Sequence, residues 1–197
     1  MIPPLKLKIK SNLFAYNLCV NAAGSLSIRS KMLRYCNPLG YLGHVKMEFT
    51  IREAEERDAE EIEKLAMRCP PLRGSISGTY EYLALCFRRY FLIAEAGGDI
   101  IAFLVGFPNL DVEGEVWIYQ IAVCQEERGT SVARDLLTEE IRRLASDGYM
   151  VVKAKILEEN DCSLGLFKKL GFERVCIVDG WVEVVLGVKD EEEHRRD

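Results

Sequence analysis

IAVCQEERGTSVARDLL, residues 121–137, runs from an apolar strand end through a tight polar turn into an amphipathic helix. Backbone N–H groups at the start of a helix lack partners and carry partial positive charge, so this strand-turn-helix suits a bound pyrophosphate. Gly129, Thr130, Ser131 and Ala133 are small enough to let the main chain approach such an anion, and Arg128 can pair with a phosphate. A turn with one glycine is also a common surface turn, so the reading depends on what surrounds it.

Upstream, Phe49 to Arg52 reads as a strand. Asp58 and Glu61 form a capping box ahead of Ile62, Leu65, Ala66 and Cys69, and Pro70 stops that helix. Tyr82, Leu83, Leu85, Cys86, Phe87 and Tyr90 are read as the apolar face of a second helix. Phe91 to Glu95 and Ile100 to Phe107 form a hairpin around Gly97, Gly98 and Asp99, and Val116 to Val123 is the next strand. Downstream, Val132, Leu136, Leu137, Ile141, Leu144 and Ala145 mark one face of a long helix. Val151 to Ile156 is a strand, Cys162 to Leu170 a short helix closed by Gly171, and Asp179-Gly180 joins the last two strands. The order β-α-α-β-β-β-α-β-α-β-β predicts an α/β (α+β) domain, a mixed sheet with helices on its faces.

The 197 residues fit one domain with a proper core. No apolar run approaches the ~18 residues of a membrane span. The net charge of −5 and the lack of a basic stripe argue against nucleic acid as a partner. The seven cysteines contain no C-x-x-C pair, and His44 and His194 lie near opposite ends, so neither a metal site nor a disulfide framework is expected. Cys86 and Cys176, set among apolar residues, read as buried filler, and thiol catalysis is set aside for want of a nearby histidine. Residues 1–46 hold seven bases and no acid; the remainder carries 19 bases against 31 acids. This break marks a leader, a domain over residues 47–189 and a charged tail over 190–197. The leader reads as a transit peptide, as a weak signal segment at Leu13 to Val20, or as the product of a start assigned upstream of Met47; the last is preferred.

Arg128-Gly129-Thr130-Ser131-Val132-Ala133 resembles the Q/R-x-x-G-x-G/A motif of GNAT-superfamily N-acetyltransferases, and the likeness extends to the Leu170-Gly171-Phe172 ending. It implies the GNAT fold, acetyl-CoA as co-substrate with no metal, and a cytoplasmic enzyme. It also implies main-chain bonds from Ile121, Ala122 and Val123 to the pantetheine arm, contacts from Asn160 and Phe167, and a homodimer. Ser131 stands where the motif has its central glycine, and its Cβ is expected to crowd the anion. Phe167 stands where many relatives have an acidic tyrosine, which leaves water to protonate the thiolate. Glu115, Tyr119 and Glu158, near strand ends, are the candidates for proton transfer.

CPPL (Cys69 to Leu72), YEYLALC (Tyr80 to Cys86), YQIAV (Tyr119 to Val123) and NDCSLGLF (Asn160 to Phe167) are similar to the L-2,4-diaminobutyrate acetyltransferases of ectoine synthesis. That similarity implies a small amine-bearing acceptor held by Arg73, Tyr80, Tyr119, Gln120 and Lys153. The family has an aspartate, a tryptophan and a glutamate where this chain has Arg73, Tyr119 and Lys153. Two acids replaced by two bases predict a pocket that repels a diamine and favours a more acidic amino acid. The alternative is that Arg73 and Lys153 are solvated surface charges. Acetylation of a protein amine and cofactor binding without turnover are the competing functions. Trp117 is expected in the core.

Overall fold

The computed structural model describes residues 48–188 in full and, before them, the backbone of four short strands. The chain divides into two units, Met1–Val45 and Lys46–Asp197. In the first, Leu18–Val20 pairs with Leu26–Ile28 and Tyr35–Cys36 with Leu42–Gly43, both antiparallel. His44, Met47, His194 and the charged tail lie outside the described residues.

In the second unit the strands are β1 (Thr50–Glu53), β2 (Phe91–Ala96), β3 (Asp99–Pro108), β4 (Glu115–Val123), β5 (Val151–Leu157), β6 (Glu173–Val178) and β7 (Trp181–Gly187). They form one sheet in the order β6-β7-β5-β4-β3-β2-β1, antiparallel throughout except between β4 and β5. Helices α1 (Ala59–Met67) and α2 (Ser77–Phe87) lie between β1 and β2, α3 (Val132–Ser146) crosses from β4 to β5, and α4 (Asp161–Lys169) leads from β5 to β6. Element order and class follow the sequence expectation. The Gly97-Gly98 and Asp179-Gly180 turns hold positive φ at both central residues, the geometry that matches the twist of a two-residue hairpin.

Two apolar clusters flank the sheet. On one face Leu136, Leu137 and Leu144 of α3 and Phe167 of α4 pack on Val116, Ile118 and Val152. On the other, Ile62, Leu65, Tyr80 and Ala84 pack on Phe91 and Phe103. The buried face of α2 is therefore the Tyr80–Ala84 stripe. Tyr82, Leu85 and Cys86, expected on it, are exposed. The expected face joined residues that a 100° step spreads around the helix, whereas Tyr80 and Ala84 share one side by i,i+4 spacing. Cys176 is also exposed, because both faces of the edge strand β6 are open.

The Asp58–Glu61 capping box does not form. Asp58 instead accepts from Arg52 at 2.7 Å and from the Glu55 N–H at 2.8 Å, and Glu61 accepts from the Ile100 N–H at 3.2 Å. Asp58 thus closes the preceding turn with Glu55 and pairs with Arg52, while a tertiary partner draws Glu61 away from the helix start. Glu63 takes over a capping role for α2, accepting from the Ser77 N–H at 2.8 Å.

One irregularity in β4 positions everything that follows. Val105 lies opposite Gln120 and Gly106 opposite Ile118, so Tyr119 is an extra residue, a β-bulge. The bulge reverses the side-chain parity of the strand. Val116 and Ile118 face α3 and α4, whereas Ala122 joins the cluster of α1 and α2. A Cβ on Gly106 would stand 3.1 Å from the Trp117 carbonyl oxygen and 3.3 Å from Glu140 Oε1, so the close approach at the bulge favours glycine.

Candidate active site

β4 and β5 pair in parallel only from Glu115↔Val151 to Ile118↔Ala154. Past the bulge they separate, while β5 continues to pair with β7 as far as Leu157↔Trp181. A wedge therefore opens between Tyr119–Val123 and Lys155–Leu157, with its apex at the bulge. Because Ala122 lies opposite Phe103 and the Cys124 N–H donates to Ile101 O at 2.8 Å, alternation turns the N–H and C=O groups of Ile121 and Val123 to the free edge. That edge lacks a neighbouring strand and can accept another extended chain, although Val123 O already accepts from Cys69 and Arg128.

At the wide end stands the polar turn into α3. Gly129 has φ +81, a left-handed conformation that a side chain disfavours. Among the described residues, the N–H groups of Gly129, Ser131, Ala133 and Arg134 have no acceptor. Asp135 N–H is the first in the helix to donate to a main-chain carbonyl, Ser131 O at 2.8 Å. Thr130 serves the loop itself: its hydroxyl donates to Glu127 O at 2.6 Å and accepts from the Val132 N–H at 3.4 Å. The Val132 side chain is in the core. Ser131 lies in ordinary right-handed backbone with φ −80, and its side chain makes no cap bond. The backbone at Ser131 is therefore unstrained, and its N–H stays free. Arg128 folds back, its Nε 3.4 Å from Val123 O.

The acceptor-side residues are tied together by hydrogen bonds. The Tyr80 hydroxyl donates to Gln120 Oε1 at 3.0 Å and accepts from the Ser75 N–H at 3.2 Å, and Gln120 Nε2 donates to Arg73 O at 3.0 Å. The Cys69 thiol donates to Val123 O at 3.3 Å. These contacts fasten the loop of residues 69–76 to β4. Burial pushes the Tyr80 hydroxyl up, against the opposing bond from Ser75. Tyr119 is 48% exposed, its ring 5.6 Å from that of Phe107.

Glu115 and Lys153 meet each other. Lys153 Nζ is 2.7 Å from Glu115 Oε2, and Glu115 Oε1 accepts from Asn109 Nδ2 at 2.7 Å and Trp117 Nε1 at 2.8 Å. Burial pushes the Glu115 carboxyl up, but the Lys153 ammonium and the two hydrogen bonds outweigh it and hold it below its ordinary value. The bond to Glu115 raises Lys153 in turn. A carboxylate so fully engaged is a poor base. Lys153 has its charge answered within the protein, which removes it from the expected reversed pocket. Trp117, expected in the core, is half-buried and carries Lys153 at 5.5 Å and Lys155 at 5.6 Å over its ring.

Phe167 and Asn160, expected to touch the cofactor, and Glu158, a candidate for proton transfer, are placed as follows. Phe167 is 2% exposed and packs edge-on against Phe172 at 4.8 Å, so it shapes the wedge from within the core. Asn160 caps α4, its Oδ1 accepting from the Ser163 N–H at 3.2 Å. Glu158 is exposed in the turn after β5, away from the apex. Sequence reading missed Glu127, whose buried carboxyl beside the turn is pushed up by burial and by Glu126. It also missed Glu140, buried against the bulge. No spacing in the sequence distinguishes either from the solvated acids around it. Among the described residues no cluster of His, Cys, Asp and Glu could hold a metal ion, and no helix is long and apolar enough to cross a membrane.

Residues 59–172 match the model of the Acetyltransferase (GNAT) family. The chain belongs to the GNAT family. Its relatives include the L-2,4-diaminobutyric acid acetyltransferase of Vibrio parahaemolyticus, 32% identical over 123 residues, which are 62% of this chain and 68% of that one. The enzyme of the same name from Chromohalobacter salexigens is 30% identical over 130 residues, 66% and 68% of the two chains. The fold is similar to that of the diaminobutyrate acetyltransferase of Paenibacillus lautus, solved with its substrate and coenzyme A, with a TM-score of 0.65, 22% identity, and 73% and 96% of the two chains covered. It is also similar to the ribosomal-protein-S18-alanine N-acetyltransferase of Escherichia coli, with a TM-score of 0.62, 20% identity, and 72% and 95% covered. The acetyl-CoA-dependent N-acetyltransferase expected from the sequence is what GNAT membership and these relatives support.

Proposed function

We propose that this GNAT enzyme transfers the acetyl group of acetyl-CoA to a primary amine of a small amino-acid-like acceptor, with 2,4-diaminobutyrate the first candidate. The observation that carries the reading is the wedge at the β4 bulge, which joins a free strand edge at Ile121 and Val123 to the four unpartnered N–H groups at the start of α3. Acetyl-CoA has an extended pantetheine arm, which suits the edge, and a pyrophosphate, which suits the N–H groups. Bound there, it supplies an activated thioester. Acetyl-CoA is a cytoplasmic metabolite, and that is where the reaction belongs.

In the reaction the acceptor nitrogen attacks the thioester carbonyl; a C–N bond forms, the C–S bond breaks, the nitrogen loses a proton and the thiolate gains one. Free main-chain N–H groups near Val123 polarise the carbonyl as its oxygen gains charge. Tyr119, carried on the bulge at the apex, is the side chain we assign to proton transfer, in preference to Glu115 and Glu158. Tyr80 and Gln120 hold the loop that carries Arg73 beside the site. The activity for which the relatives are named and the loop tied to β4 support a small acceptor. The test is mass-spectrometric detection of acetylated product from acetyl-CoA with 2,4-diaminobutyrate, ornithine, lysine, glutamate, aspartate and short peptides. Acetylated amino acid supports the proposal; acetylated peptides alone, or cofactor binding with no product, overturn it.

A further inference from the structure

The face of the sheet that looks away from α3 and α4 carries Glu115 and Trp117 on β4, Lys153 and Lys155 on β5, and Glu183 on β7. Lys153 Nζ lies 2.7 Å from Glu115 Oε2 and 3.7 Å from Glu183 Oε1, so one ammonium answers both carboxylates. Lys155 differs. It is exposed, its Nζ lies 5.6 Å from the centroid of the same indole, and although Glu183 stands opposite it in the β5–β7 register, that carboxylate turns to Lys153, so among the described residues no carboxylate lies within salt-bridge distance of Lys155. Its position on the strand is as telling as its charge. Ile118↔Ala154 is the last pair between β4 and β5, so Lys155 is the first β5 residue beyond the pairing, level with the bulged Tyr119. A cation on a fixed strand, beside an aromatic ring and with no ion pair of its own among the described residues, stands at the apex where the proposed reaction joins amine to thioester.

We infer that Lys155 receives the carboxylate of the acceptor, which makes the enzyme select amino acids over simple amines. The inference rests on the proposed function and names a feature of the same site. An ammonium paired to a substrate carboxylate near an indole gains a charge-assisted hydrogen bond in a partly desolvated setting. An acceptor without that carboxylate leaves Lys155 facing solvent and gains nothing from it. Lys155 is a specificity-determining residue, with no part in the bond-making step.

The experiment uses matched pairs of acceptors that differ only in the carboxylate: 2,4-diaminobutyrate with 1,3-diaminopropane, ornithine with 1,4-diaminobutane, and lysine with 1,5-diaminopentane. Wild-type enzyme, Lys155→Ala and Lys155→Glu are compared by kcat/KM for each acceptor, with the KM for acetyl-CoA and the circular dichroism spectrum checking fold and cofactor site. Wild type should prefer the amino acid of its best pair by about 30-fold or more, in the range of a lost charged hydrogen bond. Lys155→Ala should remove most of that preference by slowing the amino acid alone, and Lys155→Glu should favour the diamine, with the acetyl-CoA KM unchanged. A preference that survives Lys155→Ala, or a wild type indifferent to the carboxylate, overturns the assignment while leaving the acetyltransferase reading intact. A wild type that acetylates none of the six and neither glutamate nor aspartate overturns both.

Discussion

Glu140 offers the sharpest test of the packing around the bulge. It is 0% exposed, both its carboxylate oxygens lack a hydrogen-bond partner among the described residues, and Oε1 approaches Gly106. Burial is the main cause that raises its pKa from 4.5 to about 8; Glu139 and Asp147 add to the rise, and Arg143 and Arg89 oppose it. Below about pH 4.5 folded and unfolded chains both hold the proton. Between 4.5 and 8 the unfolded chain releases it and the folded chain keeps it, so stability falls as pH rises, by about 1.4 kcal/mol for each pH unit. Above 8 the loss is complete. Glu140→Gln replaces the acid with a neutral side chain of the same shape and removes this slope. Its stability relative to wild type should therefore rise by about 3 kcal/mol between pH 5 and pH 8, because most of that titration falls in the interval. Urea unfolding followed by the fluorescence of Trp117 and Trp181, at four pH values and with constant m-value, measures it. Comparing the two proteins at each pH cancels every group they share. Parallel stability curves for wild type and variant would refute the buried, protonated carboxyl.

The other expectations concern the site. Gly129→Ala forces a side chain into left-handed backbone at a cost of about 1 to 2 kcal/mol, so the turn relaxes and the Kd for coenzyme A, read by calorimetry, should rise about tenfold. Tyr119→Phe should lower kcat about 100-fold, the usual worth of a positioned proton-transfer group, with little change in the acceptor KM. Glu115→Gln breaks a paired, buried carboxylate and should cost about 2 to 3 kcal/mol in chemical denaturation. The same variant should leave the pH profile of kcat/KM in place, and a lost limb would restore Glu115 as the base.

The element order could be read because each segment states its own periodicity and punctuation: Gly97-Gly98 and Asp179-Gly180 admit only tight hairpins, and Val132 to Ser146 shows a single apolar stripe. The turn at Gly129 was likewise visible, since the glycine stands between an apolar strand and an amphipathic helix. The bulge was not. An extra residue at Tyr119 leaves β4 apolar before and after, so the strand reads as continuous while its inward side changes. Side-chain partnerships were the other blind spot. Lys153 looked available to a ligand because its partner, Glu115, is 38 positions away in sequence, on the neighbouring strand. Asp58 and Glu61 had ideal spacing for a box that other partners prevent, Arg52 nearby in sequence and Ile100 far from it.

The loop of residues 69–76 meets the sheet through polar contacts to a single strand. Gln120 bonds Arg73 and Tyr80, and Val123 bonds Cys69, so each footing is on β4, whose outer edge is the one we propose for acetyl-CoA. The two substrates consequently share one support. A substrate that shifts Val123 or Gln120 by a fraction of an ångström alters the site of the other, and thermodynamic reciprocity requires that each change the other's affinity by the same factor. Changes in the length or composition of this loop will then register as changes in coenzyme A binding, at residues the coenzyme never touches.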